Sequence, residues 1–178
     1  MAGGDAGTPA QATNCDPDPG DDNYIPEYDH VRCSRANPRA IVGTDGDDVL
    51  IGTSGSDVII ALRGNDRIES GSGKDIICAG PGADIIDAGS GNDIILGGSG
   101  ADVIDGGFGN DWIYGGRGND VVDAGTGNDS ISLGPGDDRA DAGSGNDVVT
   151  GNDGDDTIDG GTGLDTCTQA ISLARCES

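Results

Sequence analysis

Aspartate recurs at every ninth residue along most of this chain. The register is Asp48, Asp57, Asp66, Asp75, Asp84, Asp93, Asp102, Asp111, Asp120, Asp129, Asp138, Asp147, Asp156 and Asp165, fourteen positions without an exception. Carboxylates are hard oxygen ligands, the type that suits Ca²⁺ with its six to eight oxygens at about 2.3–2.6 Å. Zinc would call for Cys or His at close spacing, and the only histidine, His30, lies outside the register. Paired carboxylates also serve acid–base catalysis, but an active site is singular and this arrangement repeats along the whole register. The spacing therefore points to multiple structural calcium sites.

Such a register needs an element that holds each Asp at an equivalent place. Two residues before every one of the fourteen stands Gly, from Gly46 to Gly163. Two residues after stand Leu50, Ile59, Ile68, Ile77, Ile86, Ile95, Ile104, Ile113, Val122, Ile131, Ala140, Val149, Ile158 and Cys167, twelve of them Val, Ile or Leu. The unit reads Gly-Gly-x-Gly-x-Asp-x-aliphatic-x, with clean copies at Gly97–Asp105, Gly106–Tyr114, Gly115–Asp123 and Gly160–Thr168. Glycine permits tight turning. The residues after each Asp favour a short strand whose middle side chain points inward and whose neighbours point outward. One unit buries a single side chain; only a stack buries a continuous column, and Ala140 leaves that column one side chain short.

The outward residue three after each Asp fixes the coil size. In alternate units it is Ile51, Glu69, Asp87, Asp105, Asp123, Asp141 and Asp159; in the others it is Ile60, Cys78, Leu96, Tyr114, Ser132, Thr150 and Thr168. The chemistry repeats at every second unit, so each coil carries two strands, one in each of two opposed sheets. Seven coils at a strand spacing of about 4.8 Å make a stack roughly 34 Å long. At that spacing adjacent register carboxylates repel by about 1 kcal/mol in water and about 3.5 kcal/mol at an effective dielectric of 20. Only five of the nine Lys and Arg fall within the repeats, so a divalent cation is the expected counter-charge. Six gaps on each of two edges set a ceiling of about twelve ions.

These nonapeptides resemble the RTX, or hemolysin-type, calcium-binding repeats of secreted bacterial proteins. The resemblance covers residues 43–168. It implies an all-β, right-handed parallel β-roll with calcium between successive turns on the same edge. The implied ligands are the register Asp side chains and turn carbonyls such as those of Gly98, Gly100, Gly107, Gly109, Gly116 and Gly118. The sequence departs from the pattern at Ala61-Leu62-Arg63, which touches the sites flanking Asp66, and more mildly at Leu133 and Asn152.

The remaining composition narrows the function. The chain has 178 residues, 35 of them Gly, and 33 acidic against 9 basic side chains, for a net charge of -24. That charge repels nucleic acid and anionic membrane surfaces, and no apolar run is long enough for a spanning helix. Neither His-Glu-x-x-His nor Gly-x-Ser-x-Gly occurs, so a metalloprotease, lipase or esterase reading has no support and the chain reads as non-enzymatic. Residues 1–13 are small and polar, without the apolar core of a secretion signal; they read as a disordered tail from which any leader has been removed. Residues 14–42, with Cys15, Cys33, Tyr24 and Tyr28, are expected to cap the first coil, and residues 169–178 the last. Of the five cysteines, Cys167 and Cys176 form the easiest pair, which leaves Cys15, Cys33 and Cys78 to share one bridge. Cysteines at both ends argue for an oxidising, extracellular location.

The expectation is a secreted calcium-binding β-roll that folds on its ions and acts as a structural or interaction module. Two other readings stand beside it. One is an ice-binding module using the turn edge at Ser90/Asn92, Phe108/Asn110, Thr126/Asn128 and Ser144/Asn146. The other is a non-catalytic domain that accompanies a secreted enzyme. The outward stripe of Val58, Ile60, Ile76, Cys78, Ile94, Leu96, Trp112 and Tyr114 calls for a cover: the N-terminal arm, a second copy in a homodimer, or a protein partner.

Overall fold

Short apolar strands alternating with glycine turns produce a coil in which no strand can pair with its sequence neighbour. The computed structural model describes residues 40–170 and 172–176. One sheet contains Ile41–Val42, Val58–Ile60, Ile76–Pro81, Ile94–Ser99, Trp112–Arg117, Ser130–Ser132, Val148–Thr150 and Thr166–Thr168, in that order and all parallel. The opposed sheet contains Val49–Thr53, Arg67–Gly73, Ile85–Asp87, Val103–Asp105, Val121–Asp123, Arg139–Asp141, Thr157–Asp159 and Ser172–Ala174. Each strand pairs with the strand two units away, as in Ile113↔Ile131 and Val122↔Ala140. The protein is therefore a parallel β-solenoid of about seven coils with two strands per coil, as the alternating outward chemistry requires.

The interior is wider than one column of aliphatic side chains. Ile59, Ile68, Ile77, Ile86, Ile95, Ile104, Ile113, Val122, Ile131, Val149 and Ile158 form the expected column. Ala61, Ala79, Ala88, Ala124, Leu133 and Ala142 join the same buried cluster. These occupy the first position of the repeat, four residues after the register Asp, where other units have Gly. Leu133, a departure by pattern, is fully buried and adds volume to the core in which Ala140 is small. Ser70 holds the same position, and its hydroxyl donates to the Ala88 carbonyl at 2.7 Å.

The turns tolerate two of the departures because the backbone keeps its course. Leu62 adopts φ 86° and Asn152 φ 74°, left-handed conformations that side chains enter at a cost of about 1–3 kcal/mol. Paired strands extend past 43–168 at both ends. Ile41–Val42 pairs with Ile59–Ile60 at the usual two-unit step. Ser172–Ala174 pairs with Thr157–Asp159 at a step three residues shorter, Thr157↔Ser172 against Arg139↔Thr157. The Cys167–Cys176 disulfide closes this short last coil. The tail expected at 1–13 and nearly all of the cap expected at 14–42 lie outside the described residues.

Candidate metal sites

The register aspartates form two straight columns. Asp48, Asp66, Asp84, Asp102, Asp120, Asp138 and Asp156 precede the strands of one sheet; Asp57, Asp75, Asp93, Asp111, Asp129, Asp147 and Asp165 precede those of the other. From Asp66 onward, each Asp Oδ1 accepts the backbone N–H of the Asp one coil earlier. Examples are Asp84 N to Asp102 Oδ1 at 2.8 Å, Asp102 N to Asp120 Oδ1 at 2.9 Å and Asp111 N to Asp129 Oδ1 at 2.8 Å. This satisfies a donor in each turn and fixes the carboxylate's rotation.

The second oxygen has no such partner. From Asp66 to Asp165, all twelve register Asp Oδ2 atoms are buried without a hydrogen-bond donor. A buried, unpartnered carboxylate oxygen carries a desolvation penalty that protein structures avoid unless a ligand or ion relieves it. Asp48 and Asp57, the first of each column, differ. Their Oδ2 atoms accept from the backbone N–H groups of Thr44 and Thr53 at 2.6 Å and from the same residues' hydroxyls at 2.9 Å. The departure at Ala61-Leu62-Arg63 does not disturb Asp66: its Oδ1 accepts from Asp48 N at 2.8 Å and its Oδ2 is buried like the others.

Burial and like charge act together on these groups. Asp102, Asp120 and Asp129 are pushed up to about 7, and Asp84, Asp111 and Asp138 to about 6. The main cause is desolvation, opposed by the amide hydrogen bond and reinforced by a neighbouring register carboxylate. Arg67 pairs with Glu69 and Arg175 with Asp159, so both of these cations engage the outer acidic column rather than the register.

The turn carbonyls line the same edges. An ideal Cβ on Gly116 would overlap the Gly98 carbonyl oxygen, and one on Gly118 that of Gly100. The oxygens of Gly107 and Gly109 stand in the same relation to Gly125 and Gly127 on the opposite edge, and those of Gly116 and Gly118 to Gly134 and Gly136. The Gly107 carbonyl accepts the Thr126 N–H at 2.8 Å, and a carbonyl retains a second lone pair. Among the described residues no three His, Cys, Asp or Glu side chains converge on one point. Side chains alone thus build no cage, and the oxygens available in number are backbone carbonyls beside paired carboxylates. That donor set fits calcium and not zinc.

The model of the RTX calcium-binding nonapeptide repeat matches this chain in four copies, over residues 42–77, 79–113, 96–131 and 132–167. The chain belongs to the RTX calcium-binding repeat family. No curated protein and no solved structure matches it. Calcium binding is the chemistry that RTX repeats carry, and the paired carboxylates and turn carbonyls of this RTX chain are a donor set of the right kind for it.

A second ladder, which the Asp spacing does not announce, runs beside the register. Where the residue before a register Asp is Asn, Asp or Ser, from Asp47 to Asn146, it offers its side-chain oxygen to the next coil. Asn128 N donates to Asn110 Oδ1 at 2.7 Å, Asn146 N to Asn128 Oδ1 at 2.8 Å and Asp155 N to Asp137 Oδ1 at 3.0 Å. The available signal is the recurrence of Asn or Asp at that position. Asn92, Asn110, Asn128 and Asn146, which the ice-binding reading places on an outward turn edge, are exposed there, and they spend their carbonyl oxygens on hydrogen bonds to the next coil.

Proposed function

We propose that calcium ions bind between successive coils on both edges, and that their binding drives this RTX roll to fold. The register Asp Oδ2 atoms and the carbonyls of the glycine turns, among them Gly98, Gly100, Gly107, Gly109, Gly116 and Gly118, are the proposed ligands. The observation that carries the reading is the set of twelve buried Oδ2 atoms without a donor. Each is a buried carboxylate oxygen without a hydrogen-bond partner in the fold, so an ion that binds only the folded state stabilises it by mass action. Up to about twelve ions fit one per gap between coils.

The module is proposed to work outside the cell, as a non-catalytic, ion-dependent structural or interaction unit. The Cys167–Cys176 disulfide supports an oxidising compartment, and extracellular calcium is plentiful enough to fill sites of modest affinity. The deciding experiment is calcium-titrated circular dichroism with an ion count on the saturated protein. Cooperative gain of β signal with several bound ions is expected. A full β spectrum retained in EGTA would overturn the coupling.

A further inference from the structure

The outward stripe of the first sheet is not exposed. Ile60, Cys78, Leu96 and Tyr114 point away from the core column, yet they are only 1%, 0%, 7% and 7% exposed. With Leu62 they form a second hydrophobic cluster, separate from the core, and Val58, Ile76, Trp112 and Ala40 pack against it. The opposed sheet behaves as an open face should: Ile51 is 64% exposed and Val103 47%. A strand's outward side chain cannot reach zero exposure through its own sheet, so another layer lies over these coils.

Cysteine chemistry identifies that layer. Cys78 is disulfide-bonded. Cys167 and Cys176 are bonded to each other, and the chain's other two cysteines are Cys15 and Cys33. Within one molecule, the partner of Cys78 is therefore Cys15 or Cys33. Geometry agrees. The chain enters the described fold at Ala40, which packs on the second cluster, and its next residues form the edge strand Ile41–Val42 of the same sheet. Two strand spacings, about 9.6 Å, separate that strand from Ile76–Pro81. Even the short stretch from Cys33 to Ala40 can span about 23 Å. The segment's chemistry agrees as well. Tyr24, Ile25, Tyr28 and Val31 supply apolar surface, and Arg32, Arg35 and Arg39 are three of the nine cationic side chains in a chain of net charge -24.

We propose that residues 14–39 lie across the face formed by Ile60, Cys78, Leu96 and Tyr114 and are clamped there by a disulfide from Cys78 to Cys15 or Cys33. The segment converts the first sheet from the inner layer of a two-sided roll into a layer packed on both sides. It does so only as far as Trp112 and Tyr114. Beyond them the outward positions become Ser130, Ser132, Val148, Thr150, Thr166 and Thr168; five of the six carry hydroxyls, and Val148 is 51% exposed. The roll is thus built in two halves: an N-terminal half held by a covalent, apolar cover, and a C-terminal half whose outer face has no apolar stripe for one.

Three measurements on the full oxidised chain test this. Non-reducing peptide mapping should join Cys78 to Cys15 or Cys33. A reduced Cys78, or a Cys78 bridge to a second chain, would overturn the clamp. Sedimentation should give a monomer; a dimer whose interface protects this face would transfer the cover to a second copy. Acrylamide quenching of Trp112, the sole tryptophan, should be several-fold weaker in the folded protein than in denaturant, and hydrogen exchange should find residues 14–39 protected. Exchange of that segment at unstructured-chain rates would sink the proposal.

Discussion

The carboxylate of Asp120 reaches back one full coil and takes the backbone N–H of Asp102 at 2.9 Å through Oδ1, while its Oδ2 stays buried without a donor. One side chain thus does two separable jobs. One oxygen closes a turn of the scaffold, and the other is the atom proposed to meet an ion.

Substitutions should separate the two jobs. Asp111→Asn keeps an oxygen acceptor for the Asp93 N–H, which donates to Asp111 Oδ1 at 2.8 Å, and removes a buried charge. It is expected to stabilise the calcium-free fold while raising the calcium midpoint. Asp111→Ala strands that amide as well, at about 1–3 kcal/mol, and should weaken both states. Asp66→Ala, whose neighbour Asp48 already has its Oδ2 taken by Thr44, is expected to shift the midpoint less than Asp111→Ala. Parallel calcium titrations by circular dichroism check the ranking, and equal shifts for the two alanine variants would refute it.

Acidity should act in opposite directions with and without calcium. In the metal-free fold Asp102, Asp120 and Asp129 sit at about 7, against 3.8 for an ordinary Asp. Between those values the folded chain holds more protons than the unfolded one, so stability falls as pH rises from about 4 to about 7. Calcium requires the deprotonated carboxylate, so its affinity rises over the same interval. Circular dichroism in EGTA at about pH 4.5 and pH 7.5 should find more residual β signal in the acidic sample; calcium titrations at the two pH values should find the neutral sample tighter.

Gly100 and Gly46 should respond differently to the same methyl group. Gly100 has φ 141°, and a Cβ there would overlap the Gly82 carbonyl oxygen of the previous coil. Gly46 has no positive φ in this region, and its Cβ would meet nothing nearer than Thr44 Oγ1 at 3.9 Å. Gly100→Ala is expected to cost more than about 2 kcal/mol and Gly46→Ala almost nothing. Chemical denaturation at saturating calcium measures both.

The Cys167–Cys176 bridge closes a loop of about ten residues, a constraint of about 2–3 kcal/mol on the unfolded chain. Cys176→Ser is expected to raise the calcium midpoint and to fray the Ser172–Ala174 strand first, visible as faster amide exchange there than in central strands such as Val121–Asp123.

The parts legible in the sequence are those that obey the nine-residue phase. The Asp columns, the isoleucine interior and the chemical difference between sheets all repeat in step, so arithmetic finds them. Ser172–Ala174 escapes because its step falls three residues short of the two-unit repeat. Ile41–Val42 escapes because it keeps phase with Leu50 but has neither Gly nor Asp ahead of it. The second inner column is hidden because many units fill it with Gly, so Ala79, Ala88 and Leu133 read as exceptions rather than as core. The capture of Asp48 and Asp57 by Thr44 and Thr53 depends on local turn geometry that spacing does not encode.

Near-identical coils bring an ambiguity of phase. A slip by one unit would leave every register Asp, turn glycine and inner aliphatic in an acceptable place. Yet it would exchange the sheets and set the acidic column of Asp87, Asp105 and Asp123 where Cys78, Leu96 and Tyr114 are covered. A slip by a whole coil would be almost silent in the middle of the stack and felt only at its ends. The bonded Cys78 and the shortened terminal step closed by Cys167–Cys176 are features that are not periodic. They act as indexing marks on a ruler of equal divisions: the repeats determine how each coil is built, and the cysteines determine which coil is which.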